Sequence, residues 1–280
     1  MRRTVDNQVA IYVVLNWLAV FCYVAATIAN VSGVIFRKEV VEQRSYWPAW
    51  LGLFIHSVAI LYWWNIVGHG PYMAPSEVLS SDSWITMVVF FIFIRFFPRV
   101  RTASVIVFPV TFLLIALAIF YNPGIRSLPP TFGSIWLVLH ISFYKIALGT
   151  LVIALAFSIF FLLKSRPVSS AWMQRLPDLD GIDLYAYRFT GFGFIFWAIG
   201  MLAGSIWAYK SWGRFWGWDP VETWSLITWL LFGVYLHLRR FFRMNGRSAA
   251  WLFIFCFIMS LVSLFVTSHM GSSIHAEYFK

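Results

Sequence analysis

Long apolar runs joined by short polar connections make up almost the whole chain. Eight of them, approximately 8–31, 48–68, 84–97, 103–121, 136–163, 189–208, 223–242 and 250–269, approach the length of a membrane-spanning helix, which is about 20 largely apolar residues. The third is short if it begins at Trp84, so it is expected to draw on Val78–Ser83 or to tilt. The runs are too long for strands of a membrane barrel and lack their alternation. The pattern therefore predicts an all-α polytopic membrane protein, a bundle of about eight transmembrane helices. The first run follows Met1-Arg2-Arg3 and exceeds the apolar core of a signal peptide, about 7–15 residues. It reads as a retained helix.

Composition agrees with the pattern. Of the 280 residues, 61% are hydrophobic and 11% charged, against about 45–50% and about 25% in a soluble domain. A water-soluble enzyme, a nucleic-acid-binding domain and a disordered chain are thereby excluded. The net charge of +10 then reads as membrane topology. One set of loops holds Arg37, Lys38, Arg44, Arg95, Arg99, Arg101, Lys164, Arg166, Arg175, Arg188, Arg239, Arg240, Arg243 and Arg247. The other holds only Arg2, Arg3, Arg126, Lys210, Arg214 and Lys280. The richer side is expected in the cytoplasm and both termini outside. The chain reads as a single domain, 1–280. Its longest connection, Lys164–Tyr187, has a Pro-Asp-Leu-Asp-Gly turn signal and reads as an amphipathic cytoplasmic link. Cys22 and Cys256 lie inside apolar runs as packing residues. They form no zinc spacing, disulfide framework or C-x-x-C-H.

Candidate chemistry concentrates in an outer loop, 209–222, around Ser211-Trp212-Gly213-Arg214-Phe215-Trp216-Gly217-Trp218-Asp219-Pro220. Rings separated by glycines make a flat apolar surface, and an interfacial tryptophan belt is the alternative. Asp219-Pro220 reads as a helix start, with Glu222 in the first turn. Six histidines accompany it. Counting along the runs puts His56 and His237 in the inner half of the membrane. His140 and His269 fall at the outer face, beside the tryptophan loop. Such residues either hydrogen-bond a neighbouring helix or ligate a metal centre, and paired imidazoles would saturate a haem iron. His69 and His275 read as solvated loop residues, with His275 the alternative to His269. Lys145, near mid-membrane, reads as one half of a salt bridge or as a charge facing a haem propionate.

The spacing Trp212-Gly213-x-x-Trp216-x-Trp218-Asp219 resembles the tryptophan-rich signature of the haem-handling proteins of cytochrome c biogenesis. The run Gly200–Arg239, the segment Trp47–Trp84 with its G-H-G-P and Glu77, and Leu128–Lys145 with L-P-P…W-L-x-x-H resemble the CcsA (ResC) branch. Two departures stand out: Pro220-Val221-Glu222 where the family has P-K-E, and Thr267-Ser268-His269-Met270-Gly271 around the C-terminal histidine. The resemblance implies transient, non-covalent binding of haem b by Trp212, Gly213, Trp216, Trp218 and Asp219. It further implies His140 and His269 as axial ligands of an outer site, and His56 and His237 as those of an inner one. It implies export of haem and thioether attachment to the C-x-x-C-H of apocytochrome c, together with a CcsB/ResB-like membrane protein. Synthetase activity is then expected of the complex rather than of this chain alone. The membrane is a bacterial plasma membrane or a thylakoid. Three other roles compete: a CcmC/CcmF-like haem-delivery component, a b-type electron-transfer cytochrome, and a solute transporter with an interfacial tryptophan cluster.

Overall fold

The computed structural model describes residues 2–121, 123–124, 128–167 and 171–267, and all regular structure among them is helical. The helices are α1 (Arg2–Ile35), α2 (Glu39–Arg44), α3 (Tyr46–Val67), α4 (Pro75–Phe96), α5 (Ser104–Ile119), α6 (Ile135–Lys164), α7 (Leu179–Trp212), α8 (Pro220–Phe241) and α9 (Gly246–Leu261). A π-helical turn, Val262–Val266, continues α9. Eight helical stretches are long and apolar enough to cross a membrane, as the hydrophobic pattern predicts. They fall into two compact units, Met1–Leu128 and Pro129–Lys280.

In the first unit α1 and α3 approach closely because Gly52 has no side chain. A Cβ there would lie 2.8 Å from the ring of Tyr23. Further along the same pair of helices, Tyr12 stacks on Trp63 at 4.6 Å. Helix α4 starts nine residues before Trp84, at Pro75, the first helical position that proline favours. Glu77 fixes that start by accepting the N–H groups of Met73 and Ala74, and it also accepts the indole N–H of Trp63. Hydropathy hid this turn because its polar residues face inward. Ser76, Glu77, Ser80, Ser81, Asp82 and Ser83 are all buried.

The second unit is built on α6 and α7. Gly193, Gly200 and Gly204 of α7 lie against Leu151, Tyr144 and His140 of α6, each at a distance a Cβ would violate or crowd. Small residues four apart let membrane helices approach in this way. Helix α7 begins at Leu179 rather than near Phe189, so the end of the expected link, 179–187, is helix. At about 1.5 Å per residue its 34 residues span about 50 Å, well beyond a hydrocarbon core of about 30 Å. Its charged first turns are held in place. Asp183 takes a bidentate pair from Arg239 of α8 and the N–H of Gly246. Lys164 donates to the carbonyls of Leu176 and Pro177 and closes the preceding turn.

Candidate functional site

His140 lies on the second turn of α6 and faces the notch made by Gly200 and Gly204. A Cβ on Gly204 would stand 2.4 Å from Nδ1. The ring's Nδ1 is 2.9 Å from the carbonyl oxygen of Gly200. A carbonyl can only accept, so Nδ1 carries the proton and Nε2 carries the lone pair. Metal-ligating histidines are commonly oriented by a second hydrogen bond of this kind. The ring is held from two further sides. Tyr144 meets it edge-on at 4.8 Å, and its hydroxyl bonds Ser225 of α8, which also accepts from Trp197 of α7. Trp207 lies nearly parallel to it at 6.3 Å.

Trp207 is where His140 meets the tryptophan-rich segment. It is buried, donates to the carbonyl of Thr131, and meets Trp212 at 4.8 Å. Beyond Trp212 the chain leaves the helix through Gly213, at φ 74. It re-enters at Pro220 behind Asp219, whose Oδ1 accepts the N–H of Val221. The expected helix start is thus present, and the Asp219 carboxylate serves it. Glu222 reaches back to accept the N–H groups of Gly217 and Asp219. This clamp holds Trp218 at φ 57, a left-handed backbone that bulky residues rarely adopt. Trp218 is 71% exposed, and its ring stands perpendicular to that of Trp216 at 5.9 Å. Phe215 stacks on Tyr209 at 4.3 Å. Trp216 Nε1 is buried without an acceptor.

Three further histidines are among the described residues. His56 is fully buried at the midpoint of α3, with Nε2 2.8 Å from Ser80 Oγ and Nδ1 3.4 Å from Tyr23 Oη. His237 is exposed in the last turns of α8 and packs on Phe241 and Phe242. His69 is not solvated as its loop position suggests. Only 4% exposed, it is held by Nδ1 on the carbonyl of Gly70, and its Nε2 is buried without a partner. The connection between α3 and α4 folds back, with Tyr72 against that ring. His269 and His275 lie outside the described residues. Lys145 is buried in α6.

Sequence reasoning missed Trp207, Gly200, Gly204 and the clamping role of Glu222. The Gly200-x-x-x-Gly204 spacing was the available signal for the notch.

Eight helical stretches able to cross a membrane, with an imidazole notch beside an aromatic loop in the second unit, define a class of multi-pass membrane protein. Its fold is shared with a solved structure titled cytochrome c haem lyase CcmF. The TM-score is 0.69 over 97% of this chain and 48% of that one, at 15% identity. Residues 51–275 match the cytochrome c assembly protein family, and the chain belongs to it. Relatives named cytochrome c biogenesis protein CcsA include one from Chlamydomonas reinhardtii, 32% identical over 64% of this chain. Others are from Trieres chinensis, 27% identical over 76%, and Prochlorococcus marinus (strain MIT 9312), 27% identical over 87%. The chain spans 53% of the Chlamydomonas relative and 79% and 87% of the other two.

Proposed function

We propose that this chain handles haem in cytochrome c biogenesis: it binds haem b non-covalently, exports it, and presents it outside the membrane for attachment to apocytochrome c. The observation that carries the reading is the His140 tautomer. An imidazole whose Nδ1–H is fixed on the Gly200 carbonyl is the tautomer in which Nε2 is the nitrogen able to ligate iron. Other observations fit a large planar ligand. Trp207 and Trp212 connect that imidazole to the loop, and Trp216 has a buried donor that waits for an acceptor. Haem supplies the iron and the vinyl groups that the C-x-x-C-H thiols attack. Ligation and orientation are this chain's contribution.

In this reading Trp212, Gly213, Trp216 and Trp218 form the platform, and Asp219 with Glu222 sets its shape. His140 and His269 are the axial ligands outside, with His275 the alternative. His56 and His237 each serve as a ligand at an earlier stage of export, and His56 must first release Ser80 or Tyr23. The whole chain, 1–280, acts as one haem-handling unit in a plasma or thylakoid membrane, with both termini and the tryptophan loop outside. Thioether formation requires a CcsB/ResB-like partner.

The test is a haem spectrum of the chain purified with and without that partner. His140→Gly is expected to lose most of the Soret band and of the cytochrome c yield. Added imidazole should restore part of both by refilling the axial position. Full haem and full attachment in His140→Gly would overturn the assignment.

A further inference from the structure

The tryptophan loop contains two hydrogen-bond donors that its own acids do not answer. Trp216 Nε1 is buried and unpaired. The Arg214 guanidinium lies across the backbone of the neighbouring Gly217, where a Cβ would come within 2.4 Å of Cζ and 2.7 Å of Nε and Nη2. Only glycine at 217 admits the guanidinium in that place. Among the described residues Arg214 has no hydrogen-bond or ion-pair partner. The two carboxylates of the loop are directed at backbone, Glu222 to Gly217 and Asp219, and Asp219 to Val221.

A buried donor without an acceptor is costly, and a planar guanidinium matches a carboxylate two bonds at a time. The buried indole N–H and the exposed guanidinium, two residues apart in one loop, together suit an anionic, two-oxygen acceptor on an otherwise apolar molecule. Haem has that chemistry on one edge only, the propionates, while its vinyl groups lie on the opposite edge. We propose that Arg214, with Trp216 Nε1, receives a haem propionate, so that the loop grips the acid edge of haem and turns the vinyl edge toward the incoming thiols. Arg214 is then a positioning residue, and Gly217 is glycine because a side chain would displace it. This inference rests on the haem reading above and adds which way round the ligand sits.

The test compares two ligands on the purified full chain, haem with free propionates and its dimethyl ester, by Soret titration. The chain is expected to bind the free acid about tenfold more tightly than the ester. Arg214→Gln and Gly217→Ala should abolish that preference while ester affinity stays close to its original value, and Arg214→Lys should keep part of it. Equal affinity for the two ligands, or an undiminished preference in Arg214→Gln, overturns the propionate assignment and leaves the haem reading standing. No Soret band with either ligand overturns both.

Discussion

A methyl group added at Gly204 would fall 2.4 Å from His140 Nδ1, whereas one added at Gly191, on the same helix, would meet nothing within 4 Å. The two positions separate helix propensity from site geometry, because glycine to alanine favours a helix equally at both. Gly204→Ala forces the imidazole away from the Gly200 carbonyl at an overpacking cost of about 1–3 kcal/mol. It is expected to weaken haem binding about tenfold, while Gly191→Ala leaves binding unchanged. Equal Soret titrations for the two variants would contradict the notch. The imidazole itself was legible in the sequence, since an ionisable group near the end of an apolar run is exceptional. Its tautomer was not, because the carbonyl that sets it comes from a residue 60 positions away. Trp207 escaped notice for a different reason. In a chain with 16 tryptophans, only packing tells the ring that touches His140 from those that face lipid.

Helices α7 and α8 are antiparallel neighbours joined at one end by the tryptophan loop and at the other by the Arg239–Asp183 pair. That pair is mostly removed from solvent and Arg239 also lies over the ring of Tyr187. Removing one member leaves a half-buried charge, so Asp183→Ala is expected to destabilise the unit by about 3 kcal/mol. The effect is read as an earlier midpoint in denaturant unfolding of the detergent-solubilised protein. An unchanged midpoint would mean that the loop alone aligns the two helices. At this scale the sequence pattern located every span and misplaced two starts, those of α4 and α7, for one shared reason. Hydropathy treats a polar residue as evidence against a span. The first turns of α4 bury their serines and acids, and those of α7 pair Asp183 with a partner 56 residues on.

For the molecule as a whole, the asymmetry of Lys and Arg gives a direct expectation. Reporter fusions in the connection before α7, at 176–178, and in the tryptophan loop, at 213–218, should report opposite sides of the membrane. The same side for both would invalidate the proposed topology. The inward-facing polar surface of α4 has a separate consequence for how the chain enters a bilayer. Presented singly to the translocon, an acidic residue near the centre of a segment costs about 2.5–3.5 kcal/mol. Both Glu77 and Asp82 lie within the first eight residues of this helix. Inside the first unit, Glu77 is answered by Trp63 of the preceding helix and by the turn before Pro75. The segment is therefore lipid-compatible only in company. It partitions as a hairpin with α3 rather than as an autonomous stop-transfer sequence, and a chimera cut between Gly68 and Ala74 would strand it at the interface.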